Sequence, residues 1–308
     1  MAQFGYQVLG FGSFTSAGGP GVWALLGDTI SSRRYMSVIA GNASAALIFG
    51  GANPATDVVE TWNGASGSFT TLSETLIAAS ASSNGGGTES SALSISGTRG
   101  GSRSTACEKW SGSSFTAADS LTTATQDGCS AVEDKDNAWS CGGYTGSASG
   151  KHEIMRSGTW TAQSTDLPTP RYYLANNACG SSGNGAAVTG STGSRSTKNE
   201  EYTYSSGSSG SWTTNADITT ALDENPGCFG KTSADDLVVF SGETNSGPNG
   251  GTYEYSANTW TTGNNVPTNI RNNFGGGPTG NGLTVGGFIE GGPGYQDEAY
   301  SFTRAIST

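Results

Sequence analysis

Few residues in this chain have the types and spacing to do chemistry. It has one histidine, His152, five cysteines and 25 acidic residues in 308. A single histidine ahead of a predicted strand has no second group with which to relay a proton or activate a nucleophile. The carboxylates are more regular. Glu60, Glu108, Glu153 and Glu298 each stand two residues before Trp62, Trp110, Met155 or Tyr300. Paired carboxylates could cleave a glycosidic bond if they converged. Recurrence at one place in successive repeats spreads them apart instead, so they read as structural, hydrogen-bonded to a neighbouring repeat's backbone or to an arginine. Residues 133–136 and Asp235-Asp236 are dense in acid but lack an EF-hand pattern, and read as polar turns. The glycine runs at 85–87 and 275–277 precede no helix, so they do not cradle phosphate. Cys129, Cys179 and Cys228 fall 50 and 49 residues apart. That spacing suits a metal site or, with no CxxC pair and no clustered histidine, small buried side chains on inner strands; the second reading is preferred. A disulfide framework is not expected. The assignments are therefore no catalytic residue, no metal and no cofactor.

These residues sit in a repeated unit. Residues 45–69 hold an apolar run ending in Gly50-Gly51, a loop, an aromatic-bearing segment to Trp62, then Phe69. The same order returns with Phe115, Trp160, Trp212 and Trp260 closing each unit, 46, 45, 52 and 48 residues apart. A fixed period near 45–50 residues signals blades. Each unit reads as four short strands, with no 3.6-residue periodicity anywhere. First strands are expected at 34–40, 78–82, 124–131, 171–176, 221–229 and 270–275. Third strands are expected to carry Trp62, Trp110, Met155, Tyr204, Tyr255 and Tyr300. Trp23 falls 46 residues before Phe69 and is preceded by no apolar run, while the last repeat has no closing aromatic. Residues 22–26 are therefore expected to complete the sheet formed by 270–303. The predicted fold is all-β, a six-bladed β-propeller of four-stranded blades closed by an N-terminal strand. Residues 19–308 form the propeller and residues 1–18 precede it.

Composition limits the partners. Charged residues are 13% and the net charge is −11, which disfavours nucleic acid and anionic membrane surfaces. No apolar run approaches the roughly 20 residues that span a bilayer, and the N-terminus does not read as a secretory signal.

The glycine pairs Gly50-Gly51, Gly142-Gly143 and Gly286-Gly287 resemble those of kelch repeats. So do the Tyr255-to-Trp260 spacing and the segment Leu167-Pro168-Thr169-Pro170-Arg171-Tyr172. The resemblance covers roughly residues 20–303. Repeats two, four and five keep one glycine, and Met155 replaces an aromatic. The Ala/Gly/Ser/Thr-rich wording further resembles kelch-like virion proteins of tailed, particularly marine, bacteriophages. That resemblance implies a non-enzymatic structural protein, tail- or fibre-associated, assembled in the host cytoplasm and presenting loops for host attachment or protein contact. Copper radical oxidases on kelch propellers need more histidine than this chain has, and sialidase boxes need an aspartate missing from residues 157–160 and 208–212. The alternatives are a glycan-acting enzyme, a glycan-binding propeller and a cellular kelch-type interaction module.

Two surfaces are candidates for partners. Phe4, Tyr6, Phe11 and Phe14 lie ahead of the repeats and are expected to dock onto other virion proteins. Loops joining second to third strands carry Arg99, Arg103, Lys151, Arg195 and Lys198, expected to meet an anionic host glycan or protein. Loops joining first to second strands carry Glu89, Glu133, Asp134, Asp136, Asp235 and Asp236.

Overall fold

Local turn chemistry cuts this chain into strands of about five residues. Asn63 Oδ1 accepts from the amides of Ala65 (3.0 Å) and Ser66 (3.2 Å), an Asx turn that reverses the chain. Ala257 and Asn258 (φ +48° and +56°), and Ser157 and Gly158 (φ +50° and +80°), make two-residue hairpin loops of the hand that matches strand twist. The computed structural model describes residues 20–33, 35, 38–52, 55–177, 179–230, 234–289 and 294–304. Among them every regular element is a β-strand.

Eight antiparallel sheets result, six of four strands, one of three and one of two. The first four-stranded sheet takes Val38–Asn42, Ala45–Phe49, Val59–Asn63 and Ser68–Thr71. The second takes Asn84–Thr88, Ser91–Ile95, Cys107–Trp110 and Phe115–Ala117. Cys129–Asp134, Asn137–Cys141, His152–Arg156 and Thr159–Ala162 form the third. Gly180–Ser181, Asn184–Val188, Asn199–Ser206 and Ser209–Thr214 form the fourth. The fifth holds Gly227–Phe229, Asp236–Phe240, Thr252–Ser256 and Thr259–Thr262. The sixth joins Phe274–Gly276, Gly282–Ile289 and Gly294–Thr303 to Val22–Arg33 from the other end of the chain. Val22 pairs with Thr303, Trp23 with Phe302 and Leu25 with Tyr300, so the strand at 22–26 lies in the sheet where its spacing predicts it.

The third strands carry Trp62, Trp110, Met155, Tyr204, Tyr255 and Tyr300 as expected, and the register shows which residues face the closing aromatics. Trp62 opposes Phe69, Trp110 opposes Phe115, Met155 opposes Trp160 and Tyr255 opposes Trp260. In the fourth sheet Tyr202, not Tyr204, opposes Trp212, and in the sixth Phe302, not Tyr300, opposes Trp23. A two-residue shift keeps a side chain on the same face of a strand, so the sequence pattern alone does not reveal it. Glu298 accepts from Thr268 Oγ1 (3.3 Å), the structural role expected of it, and the register defines a further carboxylate series. Its members are Glu60, Glu108, Glu153 and Glu200, with Tyr253 and Tyr300 filling the position in the last two sheets. Finally, the first strands begin later than predicted. Tyr35, Ser82, Asp127, Tyr173, Glu224 and Asn272 all take left-handed φ of 46° to 57°, and regular strand geometry breaks at a non-glycine residue so placed.

The series does hold neighbouring segments. Glu60 accepts from the Ile30 amide (3.1 Å), Glu108 from Ile77 (2.7 Å) and Glu153 from Thr122 (2.9 Å). Glu200 accepts from Thr169 Oγ1 (2.9 Å), and Tyr300 Oη meets Thr268 Oγ1 (3.0 Å). Arg33, Arg99 and Arg171 ion-pair with Glu60, Glu108 and Glu200 in buried positions. Leaving one such charge unpaired costs about 3–5 kcal/mol.

Second strands are covered on both faces. Leu47 and Phe49 pack with Ala92 and Trp110 of the second sheet, whereas Ala46 and Ile48 pack with Phe274, Leu283 and Val285 of the sixth. Fourth strands are largely exposed. The first strand of the first sheet lies against those of the second and sixth, the third's against the second's and fourth's, and the fifth's against the sixth's. Asn176 bridges Gly227 between the fourth and fifth.

Five second strands are followed by two successive left-handed residues, at 50–51, 96–97, 142–143, 189–190 and 241–242, and the sixth contains such a pair at 286–287. The first is Gly, Ser or Thr, and the second is always Gly. From there an amide reaches the next sheet's lead-in: Gly51 to Ser80 O (2.9 Å), Gly97 to Thr125 O (2.9 Å), Gly143 to Arg171 O (2.8 Å), Gly190 to Leu222 O (2.9 Å) and Gly242 to Ile270 O (3.2 Å). A Cβ on Gly97 (φ +85°) would lie 2.1 Å from Ser83 Oγ and 2.7 Å from Ala81 O. Its neighbour Ser96 has φ +54° and a buried hydroxyl with no partner. Gly97→Ala is expected to lower stability by about 2 kcal/mol, and Ser96→Gly to raise it by about 1 kcal/mol. Urea unfolding midpoints check this, and changes of the same sign would contradict it.

Candidate functional site

The six left-handed residues ahead of the first strands are linked through their backbones in two runs, 35–82–127–173 and 224–272. Ser82 N donates to Tyr35 O (3.3 Å), Asp127 N to Ser82 O (3.1 Å), Tyr173 N to Asp127 O (2.7 Å) and Asn272 N to Glu224 O (2.9 Å). Left-handed φ costs a non-glycine residue about 1–2 kcal/mol, and these bonds help offset that cost. Their side chains bring chemistry to one place. Gln126 Nε2 donates to Asp127 Oδ2 (2.8 Å), and Asn225 Nδ2 donates to Asp127 Oδ1 (3.3 Å) and Asn272 Oδ1 (3.2 Å). Asn272 Nδ2 then reaches Glu224 Oε2 (3.1 Å). Asp127 is only 2% exposed. Burial pushes its carboxyl up to about 6 against the pull of Gln126, Ser82 and Asn225, with Glu224 adding to the rise. Burial, then Asp127 and Glu224, raises the Tyr173 phenol.

Tyrosines continue outward from this cluster. Tyr173 meets Tyr172 (ring centroids 4.7 Å apart), Tyr172 meets Tyr144 (5.3 Å), and the Arg103 guanidinium lies 5.3 Å from the Tyr144 centroid. Beside it, Arg195 binds Asp223 (2.9 Å) and Glu243 (2.7 Å), and Arg271 pairs with Glu243. Burial lifts Asp223 to about 6, with Arg195 opposing the rise.

The five expected cations are not pooled. Arg99 is buried against Glu108, Lys151 pairs with Asp166 (2.9 Å), Lys198 with Asp217 (3.0 Å), and Arg195 as above. Arg99 and Arg103 share one small hairpin, Thr98–Arg99 with Ser102–Arg103. Arg103 alone of the five is in no ion pair among the described residues. Of the expected acidic set, Asp236 pairs with Arg304, and Asp136 with Lys135 and Lys109. Phe4, Tyr6, Phe11 and Phe14 lie outside the described residues. All five cysteines are buried. Cys129, Cys179 and Cys228 share one buried core cluster, as small apolar side chains. Burial above all raises the Cys179 thiol, and among the described residues no group of His, Cys, Asp and Glu could hold a metal ion. The residues that sequence reasoning missed are Asp127, Glu224 and the tyrosines at 144, 172 and 173. Their signal is positional: 127, 173 and 224 lie two residues past the lead-in residue that accepts from the glycine amide, and 144 directly follows a glycine pair.

His152 opens a third strand rather than lying in the loop before it, and is 3% exposed. It packs on Tyr202 (4.4 Å), Trp212 (5.2 Å) and Trp139 (6.5 Å), with both ring nitrogens unpartnered. Burial lowers it to about 4, while Asp166 raises it and Lys151 lowers it.

Asp127 and His152 titrate in overlapping ranges with opposite effects. Folded Asp127 holds its proton to about pH 6 against 3.8 ordinarily, so its contribution to stability falls as pH rises through that window. Folded His152 resists protonation down to about pH 4 against 6.5, so its contribution falls as pH drops. Each slope is limited to about 1.4 kcal/mol per pH unit. Relative to wild type, His152→Phe is expected to gain stability steadily as pH falls from 6.5 to 4, and Asp127→Asn to gain as pH rises from 3.8 to about 6. Chemical unfolding across pH measures both; differences independent of pH would contradict the assignment.

Compared with known proteins, the chain matches no family model and no curated sequence.

Proposed function

We propose that the six four-stranded sheets close into a six-bladed, kelch-like propeller, and that the protein is a non-enzymatic attachment component of a tailed-bacteriophage particle, associated with tail or fibre. The observation that carries the ring is the order of sheet contacts, through first strands and, from fourth to fifth, the Asn176–Gly227 bridge, in which the sixth sheet returns to the first and joins Val22–Arg33 to Gly294–Thr303. A rigid ring of sheets leaves recognition to its loops. The particle setting draws on the resemblance of the repeats to phage virion proteins, and residues 1–18 are proposed to contact other virion proteins. The raised Asp127 carboxyl beside Glu224 favours a second reading, a glycan-acting enzyme. Against it, a catalytic acid must reach its substrate, whereas both Asp127 oxygens accept hydrogen bonds and the residue is buried. Electron microscopy of purified particles labelled with an antibody to this chain is expected to place it on tail or fibre. Recovery of the chain only from the soluble fraction of infected cells would overturn the particle reading.

A further inference from the structure

We propose that Tyr144, Tyr172 and Tyr173, with Arg103 at their outer end, form a binding site for an acidic oligosaccharide; the inference deepens the attachment reading above and rests on it. The three tyrosines are half-buried, and their hydroxyls make no hydrogen bond among the described residues. Their rings follow one another at 5.3 and 4.7 Å. Successive rings are tilted 59° and 56° to one another, so each offers its own apolar face to the C–H face of one pyranose ring, with phenol groups at hand for the sugar hydroxyls.

The backbone beneath is fixed. Tyr144 exchanges both hydrogen bonds with Gln126 (2.7 and 3.3 Å), Tyr172 does so with Ser191 (3.1 and 2.7 Å), and Tyr173 N donates to Asp127 O (2.7 Å). Tyr173 also takes a left-handed φ of 55°, an unfavourable choice for a bulky residue where packing alone is at stake. A site built in advance spends less of its contact energy on ordering.

Charge selects the class of sugar. Arg103 is exposed, its guanidinium lies over the Tyr144 ring and it has no carboxylate partner among the described residues, unlike Arg99, Lys151, Arg195 and Lys198. It can receive a carboxylate in the plane of its fork. At the inner end, half-buried Glu224 is an acceptor for hydroxyl hydrogens and repels a carboxylate. A bound acidic sugar is thereby oriented with its anion outward at Arg103. A protein partner would call for exposed apolar anchors, and among the described residues the exposed large hydrophobics are Val22, Leu25, Ile30 and Ile77, none of them in this row.

The full chain is to be titrated calorimetrically with mannuronate, hyaluronan and sialylated oligosaccharides, and with neutral maltohexaose and chitohexaose. At least one acidic probe is expected to bind, more weakly at higher salt. Tyr172→Ala is expected to cut that affinity about tenfold. Arg103→Gln, at an exposed side chain that folding does not need, is expected to cut it similarly while leaving any neutral binding unchanged. Thermal midpoints confirm that both variants fold. The inference is overturned if no probe binds, if neutral probes bind as well as acidic ones, or if Arg103→Gln has no effect. Particles that still attach while no oligosaccharide binds would point to a protein receptor, overturning the inference and leaving the attachment reading intact.

Discussion

A backbone amide that turns out of its own sheet is the constraint on which the rest depends. Two successive left-handed residues at the end of the second strand in five of the sheets aim the amide of the second at the lead-in to the next sheet. Only glycine fits that second position without strain, since φ near +90° and a crowded Cβ site exclude side chains. The first position is less demanding, and serine or threonine occupies it in three sheets. Once the amide is placed, the next lead-in is fixed, and with it the left-handed residue two positions later whose own amide bonds the preceding repeat. Sheet packing and the carboxylate latches then reinforce an arrangement that these bonds have already set.

The same geometry assembles the candidate site. Side chains at the left-handed positions are brought together because their backbones are hydrogen-bonded in sequence, whatever the side chains are. Asn225 links Asp127 to Asn272, which in turn reaches Glu224, at the cost of burying a carboxyl whose pKa is raised. Tyr173 occupies the same kind of position, so it leads a row of aromatic rings away from the acidic cluster. Recognition chemistry is thus grafted onto positions that the fold has to build anyway.

Much of the fold was legible in the sequence because it is carried by period and residue size. The spacing of Phe69, Phe115, Trp160, Trp212 and Trp260 reveals the repeat, and the 46-residue step back to Trp23 locates the strand that completes the sixth sheet. Register was harder. Tyr202 and Tyr204 point to the same face, as do Tyr300 and Phe302, and only hydrogen-bond pairing separates them. The first strands were misjudged because a left-handed residue leaves no hydropathy mark: Tyr, Ser, Asp, Glu and Asn all occupy it. The cationic sector was visible as a charge count, but not as Arg99 buried on Glu108 or Lys198 held by Asp217, since a count does not say which carboxylate of the same repeat each cation meets. The tyrosine row was missed because its members come from different repeats and meet only through the lead-in segments.

Native-state hydrogen exchange at the glycine amides of residues 51, 97, 143, 190 and 242 tests the central claim most directly. If the sheets form one ring latched through these amides, all five exchange only through global opening, with a common free energy. Removing the strand Val22–Arg33 should then lower the protection of all five together. Protection that falls only for amides beside the sixth sheet, or that differs among the five in the intact chain, would contradict the account and indicate sheets that open independently.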